Sequence, residues 1–169
     1  MRRPAFGFTM IEMALVLAVL AILAALALPD LGRRMERQRL QSAAQGLAAD
    51  LAEARFEAAR QGQALFVEAK PALASDSAWC WAVARSAGCD CAAAQACQVH
   101  AVRNTDWRGV RLVEGLAVTL QPGGTAAGPQ QRALLESSRG EQLRVEVSAL
   151  GRARVCATRG SWPSMPACS

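Results

Sequence analysis

The feature that most constrains this chain is an uncharged apolar segment near its amino terminus. Residues 13–28 (MALVLAVLAILAALAL) contain no charged and no strongly polar side chain. Together with residues 8–11 they form about 20 apolar positions, and a helix of that length spans roughly the 30 Å hydrocarbon layer of a bilayer. The segment therefore predicts a membrane-spanning helix, and Arg2 and Arg3 before it indicate a cytoplasmic start.

A secretory signal peptide is the alternative interpretation of a basic start followed by an apolar segment. Two features disfavour it. Leu28-Pro29-Asp30 is a poor cleavage site, and helix-forming residues continue beyond Pro29. We therefore expect the apolar segment to remain in the mature protein.

Glu12 is the one charge that interrupts the apolar positions. A carboxylate in hydrocarbon costs several kcal/mol unless it is paired or neutralised, so such a residue indicates a function. Cleavage between Gly7 and Phe8 would create an amino terminus four residues upstream. That amine could supply the opposite charge.

The run Gly7-Phe8-Thr9-Met10-Ile11-Glu12 and the apolar residues after it resemble the amino terminus of type IV prepilins and type II secretion pseudopilins. The resemblance implies that a prepilin peptidase cuts after Gly7 and that Phe8 is then N-methylated. It also implies that Glu12 guides assembly and that Pro29 kinks the helix. Such a subunit crosses the bacterial inner membrane once, with its head in the periplasm. An inner-membrane assembly platform then adds it to other pilins or pseudopilins.

The pattern after Pro29 predicts a longer helix and then a β-rich head. Residues 31–61 lack proline and repeat apolar side chains at intervals of three and four, so we expect the helix to reach Gln61 and to stop at Gly62. The stripe expected to face the head consists of Leu40, Ala44, Leu47, Leu51, Ala54 and Ala58. Beyond Gly62 the period changes to two, and six strands are expected at 64–68, 79–84, 109–113, 116–120, 143–147 and 153–157.

These expectations define the fold class and the domain boundaries. Close-spaced strands without long helices between them should be antiparallel, so the class is α+β, with a long amino-terminal helix packed on an antiparallel sheet head. The predicted parts are a leader (1–7), a transmembrane or filament-core helix (8–29), the amphipathic half of the helix (30–62) and a disulfide-bonded head (63–169).

Three short motifs also resemble the GspH/FimT branch of pseudopilins and minor pilins. They are Ala54-Arg55-Phe56-Glu57-Ala58, Trp107-Arg108-Gly109-Val110 and Gly151-Arg152-Ala153-Arg154. The last is similar to the Gly-Arg-x-Arg motif of FimT-type minor pilins, which implies that Arg152 and Arg154 bind double-stranded DNA. The residues add support, because residues 148–169 contain three arginines and no acid, and alternate strand residues point the same way. An ordinary solvated sheet face is the alternative.

Six cysteines predict disulfides once the head lies in an oxidising compartment. The resemblance to minor pilins implies that Cys156 and Cys168 close a carboxy-terminal loop, which would contribute about 3 kcal/mol in the chain-entropy model. The pairing of the other four stays open; Cys89 and Cys91 are too close to bond each other, so each is expected to bond Cys80 or Cys97. A zinc site that uses these four cysteines or His100 is disfavoured, because the spacing lacks Cys-x-x-Cys pairs.

The sequence indicates a structural protein rather than an enzyme. His100 is the single histidine, and neither a nucleophile pattern nor a phosphate-binding loop is present. We expect no cofactor and no metal. Two roles stay open: a type IV pilus minor subunit that binds DNA, or a type II secretion pseudopilin that acts in protein export without DNA binding. A membrane-tethered module of another class is a third interpretation, and it would retain its leader.

Overall fold

The computed structural model describes residues 9–72, 78–160 and 162–168, and it describes the backbone alone for residues 26–30 and 130. Helix α1 (Met10–Gln61) begins in one compact unit and ends in another, because the chain divides between Met35 and Glu36. In the described part of the chain, no helix is both long enough and apolar enough to cross a membrane.

The first unit consists of the capped, apolar start of α1. The backbone N–H groups of Glu12 and Met13 donate to Thr9 O at 3.1 and 3.2 Å, and Thr9 Oγ1 accepts from Glu12 N–H at 3.3 Å. Thr9 is therefore an effective N-cap. The large apolar side chains that follow are exposed around the whole helix, between 49% at Val16 and 92% at Met10. A helix that is apolar on every side is typical of one that lipid or other protein surrounds.

The second half of α1 packs one stripe into the head. The six predicted positions are all buried, and Ala43 joins them, so this prediction is confirmed. The helix ends where expected: Gly62 adopts a φ of 68°, and Gln63 N–H donates to Ala58 O at 3.2 Å. This left-handed residue and its backward hydrogen bond form a Schellman-type ending, which glycine adopts without a Cβ clash.

Two antiparallel sheets form the rest of the head. One has the strand order β3-β2-β1-β5-β6 and the other the order β4-β7-β8-β9. One core contains the α1 stripe together with inward side chains of both sheets. The strands are β1 (Leu65–Lys70), β2 (Cys80–Ala84), β3 (Gln98–Arg103), β4 (Val110–Glu114), β5 (Leu116–Leu120), β6 (Ala126–Gln130), β7 (Arg132–Ser137), β8 (Gln142–Val147) and β9 (Ala153–Arg159).

The predicted number of strands is wrong, because nine strands lie within the described residues and only six were expected. The strands that the pattern missed are β3, β6 and β7. A Gly-Pro dipeptide usually marks a turn, yet Gly128-Pro129 lies inside β6, at the edge of its sheet. Proline is tolerated on an edge strand. A Cβ at Gly128 would clash with Ala117 O of β5, so the close strand approach requires glycine.

Strand β2 is buried on both of its faces. Trp79 and Trp81 stack toward α1 with ring centroids 5.5 Å apart. On the opposite face, Cys80 and Ala82 form a second small cluster with Cys91 from the following loop. The loop between β2 and β3 therefore covers a sheet face that would otherwise be solvated.

Candidate functional site

Of the candidate DNA-binding residues, Arg154 lies in β9 and Arg152 directly precedes that strand, on the side of the second sheet that faces away from the core. Leu143, Val145 and Val147 of β8 are buried, so the residues between them point to this outer side. We name the outer side the arginine face. By strand register, and for Arg152 by its backbone hydrogen bond with Ser148, it carries six arginines and three glutamates: Arg111, Arg132, Arg144, Arg152, Arg154, Arg159, Glu114, Glu136 and Glu146.

One row of the arginine face is centred on Glu136. Its carboxylate accepts from Gln142 Nε2 at 2.6 Å and from Arg111 Nη2 at 2.5 Å, and its side chain is 15% exposed. The hydrogen bond from Gln142 lowers the pKa of Glu136 most, followed by the hydrogen bond from Arg111, and the charge of Arg159 adds to the effect. Glu136 is therefore ionised at neutral pH and offsets part of the positive charge.

A second row is centred on Glu146, and Leu134, Arg144 and Cys156 lie between the two rows. Arg154 donates to Glu146 Oε2 through Nη2 at 2.8 Å and through Nε at 3.0 Å. On β8 itself, Arg144 Nη1 lies 3.6 Å from Glu146 Oε1. Arg132 of β7 stands opposite Glu146 in the strand register. Glu146 therefore contacts the guanidinium groups of Arg154 and Arg144, and a net positive charge remains around it.

Arg152 and Arg154 consequently differ in their surroundings. Arg152 is exposed, and its guanidinium meets no partner among the described residues, although its backbone N–H donates to Ser148 Oγ at 3.2 Å. Arg154 is engaged by Glu146. The carboxy-terminal residues 148–169 contain no acid, but the paired strand β8 supplies the carboxylate of Glu146. Glu146 was not predicted as a site residue, because only the pairing of β8 with β9 brings it beside Arg154.

The predicted amino-terminal site is only partly within the described residues. Gly7 and Phe8 lie outside them, so cleavage and N-methylation stay predictions. Glu12 lies in the first turn of α1 and is exposed, with no described residue contacting its carboxylate. The backbone at Pro29 is helical, whereas its side chain lies outside the described part, and the predicted kink stays a prediction.

The cysteines form three disulfides, and none is a free thiol. Cys80 is bonded to Cys91, Cys89 to Cys97, and Cys156 to Cys168. The zinc alternative requires thiolates, whereas these sulfurs are joined to one another. His100 lies on β3 with its Nε2 3.7 Å from Asp50 Oδ2.

Comparison with known proteins identifies the class. The family described as type II transport protein GspH matches residues 43–151, which is more than half of the chain. The chain belongs to the GspH family. The prokaryotic N-terminal methylation motif matches residues 2–28. No curated protein matches the chain.

Two solved structures of the type IV minor pilin FimU from Pseudomonas aeruginosa are similar to the chain. The structure in space group P65 is 24% identical, covers 69% of this chain and 91% of that chain, and has a TM-score of 0.44. The structure in space group P21 is 26% identical, covers 71% of this chain and 90% of that chain, and has a TM-score of 0.45.

Membership of the GspH family makes the chain a minor pilin or pseudopilin, a structural subunit with a pilin fold. The resemblance found in the sequence is therefore confirmed. The family match begins in the second half of α1 and ends at Gly151. Arg152, Arg154 and the loop closed by Cys156 and Cys168 lie beyond it, so the family match does not extend to these features.

Proposed function

We propose that this GspH-family chain is a minor subunit of a type IV pilus and that its arginine face binds double-stranded DNA. Six arginines against three glutamates on one sheet face carry this proposal. Guanidinium groups bind phosphates well because their planar donors match the oxygen geometry. The protein would be a receptor and structural subunit, with no catalytic role.

The route to the filament follows from the methylation motif. Prepilin peptidase removes residues 1–7, Phe8 becomes the methylated amino terminus, and the uncharged run 13–28 holds the subunit in the inner membrane with its head in the periplasm. The assembly platform then moves the helix into a bundle of pilin helices. There the exposed Glu12 carboxylate would neutralise the amino terminus of a neighbouring subunit.

The structure suggests which arginines meet DNA. Arg132 and Arg152 are exposed, and neither guanidinium is engaged by a described residue. These two would make the first phosphate contacts, whereas Arg154 must exchange Glu146 for a phosphate. Two or three contacts give a slope of log affinity against log salt concentration of about −2 to −3, which means weak, sequence-independent binding.

The test uses the full chain in non-ionic detergent and a short labelled DNA duplex at low salt. The double variant Arg132→Gln/Arg152→Gln should bind at least about tenfold more weakly and with a slope smaller by about 2. Arg85→Gln is the control for loss of an arginine elsewhere, because Arg85 is exposed in the loop after β2 and not on the arginine face. Absence of binding by the native chain, or equal loss in the control, would refute DNA binding.

The second candidate is a type II secretion pseudopilin that acts in protein export and binds no DNA. The matched family, type II transport protein GspH, favours it. The acids of the arginine face favour it too, because they reduce the charge available to DNA. A native chain that fails to bind DNA but is required for export of folded proteins would establish this candidate.

A further inference from the structure

Strand β3 forms one edge of the first sheet, whereas the arginine face belongs to the second sheet. Asn104 N–H donates to Trp79 O, so these two residues form a hydrogen-bonded pair. Val102 and His100, two and four residues earlier, lie opposite Trp81 and Val83 and occupy the same kind of position. In an antiparallel pair the residues between such positions direct N–H and C=O away from the partner strand. The backbone of Ala101 therefore points outward, where no described residue meets it.

The end of this edge is closed by the chain itself. Arg103 is the next residue whose backbone points outward, and its N–H donates to Asp106 Oδ2 at 3.1 Å. The residues before it are accessible, since the Val99 side chain is 47% exposed. An exposed sheet edge is a template for another extended chain unless the protein covers it. In this head, Asp106 occupies the outward N–H of Arg103, whereas the backbone of Ala101 stays uncovered by the described residues.

A groove of about 440 Å³ lies between β3 and the second half of α1. Three carboxylates of the helix line it: Asp50, Glu53 and Glu57. Asp50 accepts from Trp81 Nε1 at 2.6 Å, and Glu57 accepts from Arg60 Nε at 2.8 Å. Glu53 is exposed, and no described residue engages its carboxylate. The groove therefore presents negative charge to a molecule that lies along β3.

The spacing of these carboxylates suits an extended chain. Glu53 and Glu57 are four residues apart on a helix, which is roughly 6 Å along its axis. Side chains on one side of a strand repeat every roughly 6.6–6.8 Å. A strand added to β3 would thus place every second side chain above the groove, at nearly the interval of the acids.

We propose that the β3 edge accepts an extended segment of a neighbouring filament subunit as an additional strand, with arginine or lysine at the alternate positions above the groove. Backbone hydrogen bonds to Ala101 would hold the segment, and Glu53 would select its basic side chains. This is strand addition with side-chain specificity from the flanking groove. The proposal is independent of DNA binding, because it uses the opposite charge and a different sheet.

The test measures binding of synthetic heptapeptides to the full chain in non-ionic detergent by fluorescence anisotropy. The main probe alternates arginine and valine, and a glutamate–valine peptide is its charge control. Two further arginine–valine probes carry N-methyl groups on either the odd or the even residues. Only one of these two sets of N–H groups can face β3, so one methylated probe should bind and the other should not.

Protein variants then locate the site. Glu53→Gln should weaken binding of the arginine–valine peptide about 3- to 10-fold, as expected for loss of one charge-assisted contact at a partly exposed site. Glu114→Gln, an exposed carboxylate on β4, is the matched control and should leave binding unchanged. Equal binding of both methylated probes, binding of the glutamate–valine peptide, an equal effect of the two variants, or no binding would each overturn the proposal.

Discussion

Replacing Glu146 by glutamine should strengthen DNA binding rather than weaken it. Glu146 holds Arg154 through two hydrogen bonds of 2.8 and 3.0 Å, and a phosphate must compete with it for that guanidinium. Glutamine keeps the shape and an acceptor oxygen but removes the charge. Freeing one arginine for one phosphate changes the salt slope by about −0.9, which corresponds to roughly eightfold tighter binding near 0.1 M salt.

The stability cost of this substitution should be small. The side chains of Arg154 and Glu146 are 55% and 21% exposed, and pairs exposed to this extent contribute about 0–1 kcal/mol. The fold should therefore survive, and thermal unfolding provides the check. A change in DNA affinity can then be assigned to the arginine face and not to unfolding.

The assay is a titration of the labelled duplex at several salt concentrations with native protein, Glu146→Gln and Glu53→Gln. Glu53→Gln changes net charge equally but lies on α1 beside β3, so it separates a local effect from a general one. Unchanged affinity and slope for Glu146→Gln, or the same gain in Glu53→Gln, would show that Glu146 does not restrain a DNA-binding arginine.

Four further predictions concern processing, assembly and stability. Gly7→Val should block leader removal, because a branched side chain should not fit the peptidase site, and intact mass would then show Met1 retained. Glu12→Ala should be processed and inserted yet be poorly incorporated into filaments, which fractionation measures; equal incorporation would contradict the proposed pairing. Leu51→Ala should lower the free energy of unfolding by about 3 kcal/mol in a denaturant titration, because Leu51 is fully buried. Phe56 is 69% exposed, so Phe56→Ala should change that free energy by less than about 0.5 kcal/mol in the same titration. The folded-state pKa of Glu136 is lowered, so above about pH 4.5 the free energy of unfolding of the native protein should exceed that of Glu136→Gln. This advantage should be lost as the pH falls further. A difference in the free energy of unfolding that does not depend on pH would contradict this.

The helix was predictable because its signals are local. Apolar spacing along the chain marks the buried stripe from Leu40 to Ala58, and every residue needed for that pattern lies within one segment. Gly62 ends the helix through its own backbone conformation and a hydrogen bond that spans a few residues. Such features depend little on the rest of the fold.

The strands were harder to predict because their pattern depends on neighbours. In β2, the residues Cys80–Ala84 are all buried, so no alternation of polar and apolar residues marks its outer face. The cause is the disulfide-bonded loop, which covers Cys80 and Ala82. In β6, proline and glycine usually mark a turn, and only the contact with Ala117 explains the glycine within the strand.

The arginine face shows the same limit for a functional surface. Alternation along β9 from Ala153 would direct Arg159 toward the core side, together with Val155 and Ala157. The register shift at Gln142/Leu143 makes Thr158 an extra residue, because Leu143 pairs with Ala157 and Gln142 pairs with Arg159. An extra residue moves the following side chain to the other face of a strand. Arg159 therefore joins the row of Arg111 and Glu136, so the number of arginines on this face depends on a bulge as well as on the residues themselves.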